Sequence, residues 1–202
     1  MLLKINNQNP ESKKINQTIE ILNSGGVMVY PTDTIYGLGC DIFNKKAVTK
    51  IYQIKKREKN KPCSIICSDF KQIADFAIIP DHAFKIMKKV LPGPYTFILK
   101  AKNKAPKTVL SKNKTIGIRM PANNICLEIV KKLEHPIIST SLNISGQQVL
   151  TNPHQLNKEM QNKIDLIIDA NSLSAEPSTV IDFTQDPPVI LRQGQGNVDF
   201  LL

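Results

Sequence analysis

Apolar runs of strand length alternate with stretches of helical periodicity along most of this 202-residue chain, and an α/β architecture buries both kinds of element. Ile15, Ile19 and Leu22 recur on one helical face after Pro10, and Gly25-Gly26 supplies the stop. Val27–Tyr30 then reads as a buried strand. A second helix carries Val48, Ile51 and Tyr52 inward and delivers Lys55, Lys56 and Arg57 at its C-terminal end, where the helix dipole favours cations. Further strands are expected at Cys63–Cys67, Tyr95–Ala101, Thr115–Met120, Pro136–Ser139, Asp165–Ala170, Ser178–Phe183 and Val189–Arg192. Helices are expected at Asp69–Ala77, at Pro80–Leu91 and around Ile125, Ile129, Val130 and Leu133, with a loop over Lys102–Lys114. The sheet is expected to be twisted and mixed, in one domain over residues 1–202, since no repeat, low-complexity tract or long linker divides the chain.

The excess of 27 Lys+Arg over 17 Asp+Glu gives a formal charge of +10, which favours anionic partners such as nucleotides, RNA or acidic surfaces. Lysine pairs on helices, such as Lys13-Lys14 and Lys131-Lys132, are explained equally well as solvated faces. The cysteines at 40, 63, 67 and 126 have neither C-x-x-C spacing nor a nearby His pair, so they read as free thiols, and no metal site is expected. No apolar run approaches the ~20 residues that cross a bilayer, and the N-terminus lacks an apolar core of leader length. A soluble, cytoplasmic protein with no membrane partner is expected.

Polar clusters fall at strand–helix junctions, where open α/β sheets bind ligands. They are Pro31–Thr34 with Gly37-x-Gly39, Lys55–Arg57, Ile118–Pro121, Ser139–Gly146, and Ser178-Thr179 with Leu191–Gly194. Hydroxyls and cations dominate, and no nucleophile–base pair is evident. That inventory suits a site that holds phosphates and aligns reactants. Neither the third glycine of a dinucleotide fingerprint nor a P-loop Gly-Lys-Ser/Thr occurs. Local chemistry alone leaves alternatives open. Pro31–Thr34 serves equally as a turn with capping by Asp33 or Thr34, and Ser139–Asn143 equally as a cap. Arg119 is harder to place as filler: it stands in an apolar strand, on the same face as Gly117, and a buried guanidinium needs an anion. With no acid beside it in sequence, an external carboxylate is the expected partner, and Gly117 is expected to leave room for it. His82, His135 and His154 show no metal spacing and read as surface or capping residues.

Taken in order, these clusters resemble the signature set of the YrdC/YciO family, which carries P-T-D/E-T-x-Y-G-L-G, K-x-R and S-x-N segments. Here they read Pro31–Gly39 (PTDTIYGLG), Lys55–Arg57 and Ser141–Asn143, and Pro92–Pro94, Arg119–Pro121, Ser178–Asp182 and Leu191–Gly194 match further family positions. The resemblance covers about residues 15–195. It implies an α/β twist with a basic concave face, and synthesis of threonylcarbamoyl-adenylate from L-threonine, bicarbonate and ATP with release of pyrophosphate. By the same resemblance Lys55, Arg57, Lys61, Thr115, Ser141, Asn143 and Arg192 hold ATP, with Lys55, Arg57, Ser141 and Asn143 taking the catalytic part. Thr32, Thr34, Arg119, Ser139 and Ser178 hold threonine, and Mg²⁺ sits on the departing pyrophosphate. Family members that make this adenylate pass it to proteins that complete threonylcarbamoyladenosine in tRNA.

Two departures stand out: Glu58 follows Lys55-Lys-Arg57 where many members have proline, and Ile66 occupies the place of a histidine that longer members use near threonine. Lys61–Cys67 is closer to the YciO branch, and the end at Leu202 corresponds to the short, single-domain form. The reading from a different class is a non-catalytic module of the YciO type that binds tRNA or double-stranded RNA.

Overall fold

The computed structural model describes residues 1–58, 61–170, 173 and 176–201. The chain opens with β1 (Leu2–Lys4), α1 (Ser12–Asn23), β2 (Met28–Tyr30), β3 (Gly37–Gly39), α2 (Lys45–Lys55) and β4 (Ser64–Ile66). It continues through α3 (Phe70–Phe76), β5 (Ala77–Ile78), α4 (Asp81–Val90), β6 (Tyr95–Ala101), β7 (Thr115–Arg119) and α5 (Asn124–Leu133). It closes with β8 (Ile137–Ser141), α6 (Lys158–Gln161), β9 (Leu166–Asp169), β10 (Thr179–Asp182) and β11 (Val189–Arg192). A short 3₁₀ turn at Lys107–Val109 interrupts the expected loop between β6 and β7.

The strands form one mixed sheet in the order β1-β9-β2-β3-β8-β4-β7-β6-β10-β11, with β5 beside β6. β2 and β9, β4 and β7, and β6 and β10 run parallel, whereas β3 is antiparallel to both β2 and β8. Alternation along the strands sorts the side chains onto two faces. Val29, Leu38, Ile65, Phe97, Leu99 and Ile118 join one core with residues of α2, α3 and α4, such as Val48, Ile51, Ile73, Phe76 and Met87. On the other face Met28, Tyr30, Ile66, Ile137, Leu166 and Ile168 pack with Ile15 and Leu22 of α1 and with Ile125, Ile129 and Leu133 of α5. Those two helices cover the β1–β8 half of that face. Beyond them, Thr96 and Ile98 of β6 and Val180 of β10 line open clefts.

The helix ends follow from their caps. Gly25 takes φ +84°, and the amides of Gly25 and Gly26 bond back to the carbonyls of Leu22 and Ile21, closing α1. The end of α2 uses Lys56 in the same left-handed region, at φ 49°. The amide of Arg57 reaches the carbonyl of Tyr52 at 3.0 Å, and the turn throws Arg57 out of the helix. A β-carbon is unfavourable there, so Lys56→Gly is expected to raise stability by about 0.5–1 kcal/mol, read as a higher urea midpoint with unchanged m-value. Among the described residues no helix is long and apolar enough to cross a membrane.

Candidate functional site

On the uncovered face lies a cleft of about 340 Å³, walled by residues from β3, β4, β6, β7, β8, β10 and β11 and by the chain after α2. Three guanidiniums enter it: Arg57, Arg119 and Arg192. Each is fixed by the protein along part of its fork. Arg57 donates through Nε to the Lys61 carbonyl and through Nη2 to that of Pro62, at 2.7 and 3.1 Å. Arg192 donates through Nε and Nη2 to the Ser178 carbonyl, at 3.0 and 2.7 Å. Arg119 donates through Nη2 to Asp33 Oδ1 and Thr34 Oγ1, at 2.9 and 3.0 Å. None of the three Nη1 groups hydrogen-bonds to a described residue, and the buried Arg119 Nε also lacks a partner. Burial, and then the like charge of Arg119, hold the Arg192 guanidinium below the ordinary arginine range. Convergent cations with unused donors are the makings of an anion site.

The expected lone buried guanidinium is corrected here. Arg119 is paired with Asp33, both side chains being less than 10 % exposed, and the Asp33 carboxylate also accepts from the Ala122 amide at 3.0 Å. The acid lies 86 residues away in sequence and next door in space, because β2–β3, β7 and β8 converge. Arg119 therefore needs no external carboxylate to balance its charge. Gly117 does not face open ligand space either: a β-carbon there would meet Ser64 Oγ of the neighbouring strand at 2.7 Å. Capping by Asp33 is excluded by the same contacts, since it closes no helix.

Of the residues expected to hold ATP, Arg57, Ser141, Asn143 and Arg192 line the cleft. Lys55 lies behind it, 1 % exposed, with Nζ donating to the carbonyls of Ser141 and Asn143 and to Asn143 Oδ1. Burial draws its ammonium down to about 8. Lys61 points outward beside Glu58. Thr115 sits in a separate groove with Lys100, Asn113, Lys114, Asp182 and Thr184, at the opposite end of β7 from Arg119 but, by alternation, on the same sheet face. Of the residues expected to hold threonine, Arg119, Ser139 and Ser178 line the cleft. Thr34 is buried against Arg119, and Thr32 stands behind it, its Oγ1 donating to the Ile35 carbonyl at 2.6 Å.

Ser64 and Thr96 also line the cleft and were not singled out by local pattern. Thr96 Oγ1 lies 2.8 Å from Ser178 Oγ, and Ser64 pairs with Ser139 across β4 and β8. Their signal was strand parity, since Thr96 shares a face with Ile98, but parity becomes useful only once the open face is known. The resemblance puts Mg²⁺ on the departing pyrophosphate and names no protein ligand for it. Among the described residues no three His, Cys, Asp or Glu side chains gather, and Asp33 is engaged by Arg119 and Ala122.

A model of the Sua5/YciO/YrdC domain, described as telomere recombination, matches residues 20–194. The crystal structure of Escherichia coli YciO superposes with a TM-score of 0.94 at 38% identity, covering 100% of this chain and 99% of that one. YciO itself is described as uncharacterized. Sua5 of Pyrococcus abyssi, solved with L-threonine, superposes with a TM-score of 0.89 at 33% identity over 96% of this chain, which spans 57% of the Sua5 chain. The threonylcarbamoyl-AMP synthase of Coxiella burnetii is 34% identical over 159 residues, 78% of this chain and 86% of that protein.

Proposed function

The chain belongs to the Sua5/YciO/YrdC family, and from that premise we propose that it joins L-threonine, bicarbonate and ATP into threonylcarbamoyl-adenylate with release of pyrophosphate. The observation that carries the reading is the trio of anchored guanidiniums, each with an Nη1 that bonds to no described residue, around a cleft lined by hydroxyls. Phosphates take the Nη1 donors of Arg57 and Arg192 with Ser141 and Asn143. The nucleoside extends along the open face toward Thr115, and Lys61 reaches the polyphosphate by leaving Glu58. Threonine lies among Thr34, Ser139 and Ser178, with Thr32 holding Thr34 from behind. Arg119 offers it a hydrogen bond from Nη1, its charge being balanced by Asp33.

The threonine amine condenses with bicarbonate to a carbamate and water, and a carbamate oxygen then attacks the α-phosphate as the bond to the departing pyrophosphate breaks. The protein supplies alignment and fixed positive charge, which is consistent with a site built of cations and hydroxyls. The product is handed to a partner protein that completes the tRNA modification. Purified protein is expected to release pyrophosphate only with ATP, threonine and bicarbonate together; release without threonine, or none under any combination, refutes the reading.

A second reading, an RNA-binding module without chemistry, is favoured by one observation. From Lys100 to Lys114, at the groove end of the open face, six lysines occur and no acid. Such binding weakens steeply with salt. Tight tRNA or double-stranded RNA binding, combined with no thermal shift from ATP and threonine, selects this reading over the first.

A further inference from the structure

All three donors of the Lys55 ammonium are taken within the protein. An ammonium has three N–H groups, and three oxygens take them: the carbonyls of Ser141 and Asn143, and Asn143 Oδ1 at 2.8 Å. Ser141 Oγ, at 3.4 Å, shares one of them. The carbonyl of Lys55 in turn accepts the Ser145 amide at 2.9 Å, so one residue grips the turn after β8 from both its side chain and its backbone. With 1 % of its surface exposed, Lys55 has no donor left to offer a phosphate.

The consequence falls on Asn143. A carboxamide has an acceptor end and a donor end, and only the oxygen can face an ammonium. Asn143 Oδ1 takes Lys55 Nζ and also the Ser141 hydroxyl at 2.6 Å. Nδ2 must therefore point the other way, where one of its hydrogens goes to the Gln147 carbonyl at 2.6 Å and the other is left for the cleft.

We infer that Lys55 is a positioning residue that orients the Asn143 carboxamide so that it shows an anionic ligand an N–H rather than an oxygen. It acts through Asn143 and Ser141 and does not itself touch the ligand. The geometry stands in the ligand-free protein; only the purpose of the turn rests on the adenylate-forming reading. Without the ammonium only the Gln147 carbonyl and the Ser141 hydroxyl hold the carboxamide, and any turn away from them presents a lone pair to the ligand's negative charge.

The test uses Lys55→Met, Asn143→Ala and the double variant, with pyrophosphate as probe and calorimetry as readout. Each single change is expected to weaken pyrophosphate about tenfold, and the double change no more than either alone, because both remove the same donor. Losses that multiply to about a hundredfold would mean that Lys55 contacts the anion itself, and would overturn the inference. In the ligand-free state Lys55→Met is expected to lower the exchange protection of the Ser145 amide at least tenfold, and unchanged protection would also overturn it. If pyrophosphate binds none of the proteins, the adenylate-forming reading fails, and the exchange result still decides the role of Lys55. Should Lys55→Met not fold, the wild-type Lys55 ammonium resonance serves: a slowly exchanging signal supports the inference, and a rapidly exchanging, solvent-averaged one refutes it.

Discussion

Asp33→Ala is expected to destabilise the protein by about 3–5 kcal/mol, the usual cost of leaving one member of a buried ion pair without its counter-charge. Arg119 would keep only the Thr34 hydroxyl as partner, its Nε is already without one, and the Ala122 amide would lose its acceptor as well. Removing both charges is the control. Asp33→Ala with Arg119→Met is expected to recover much of the loss, since an apolar pair of similar volume is often nearly neutral. Sulfate is expected to rescue Asp33→Ala more than wild type, because it can enter the cleft and meet the uncovered guanidinium. Urea unfolding of the three proteins, with and without sulfate, measures all of this. A single variant within about 0.5 kcal/mol of wild type would show that the Asp33–Arg119 pair is not what holds the segment after β2 to β7.

Raising the pH from 9 to 10 is expected to remove several kcal/mol of stability under reducing conditions. Cys40, Cys63, Cys67 and Cys126 are all buried and unpaired, and burial pushes each thiol above its ordinary value of 9.0. A group whose pKa is raised in the fold contributes stability that is complete below the unfolded value and is lost as pH rises above it. Cys40, Cys67 and Cys126 are raised far enough for each to contribute a slope of up to about 1.4 kcal/mol per pH unit, about 4 kcal/mol per unit together, and Cys63 adds in the same direction. Lys55 opposes them. Its value is lowered from 10.5 to about 8, so its contribution grows with pH across that interval, by up to about 1.4 kcal/mol per unit. Above pH 10 the tyrosines join the thiols, since burial raises Tyr30, Tyr36 and Tyr52, the last to about 12. The readout is the slope of unfolding free energy against pH rather than its absolute value. A flat profile to pH 10 would contradict the burial of the thiols.

Local pattern carried most of the secondary structure. The helices at Ser12–Asn23, Lys45–Lys55 and Asn124–Leu133 show the expected spacing of buried residues, and the strands Tyr95–Ala101 and Val189–Arg192 match their apolar runs. In the sequence β3 reads as a polar motif, because Gly37-Leu-Gly39 contains no β-branched or aromatic side chain. It is a strand for a tertiary reason. A β-carbon at Gly37 or Gly39 would meet the ring of Tyr30 within 3 Å, so the glycines let β3 lie against β2. β8 runs to Ser141, two residues past the expected end at Ser139, because β3 pairs with its polar end. β1 lies outside the expectations as well, and its three residues are held by pairing with β9.

For the site, sequence by itself determined the kinds of group: guanidiniums, hydroxyls and one carboxamide at strand ends, with no nucleophile–base pair. Propensity, periodicity and capping act over four residues or fewer, so they can be read along the chain. Which of those groups face a ligand and which hold one another was decided only when the sheet assembled. The order β2-β3-β8-β4-β7 brings Asp33 to Arg119 and Ser141–Asn143 to Lys55, across 86 to 88 residues. It also leaves Thr115 in a groove of its own at the far end of β7. Buried charges are balanced by whatever partner the tertiary fold places within hydrogen-bond reach, and no spacing along the chain records that distance.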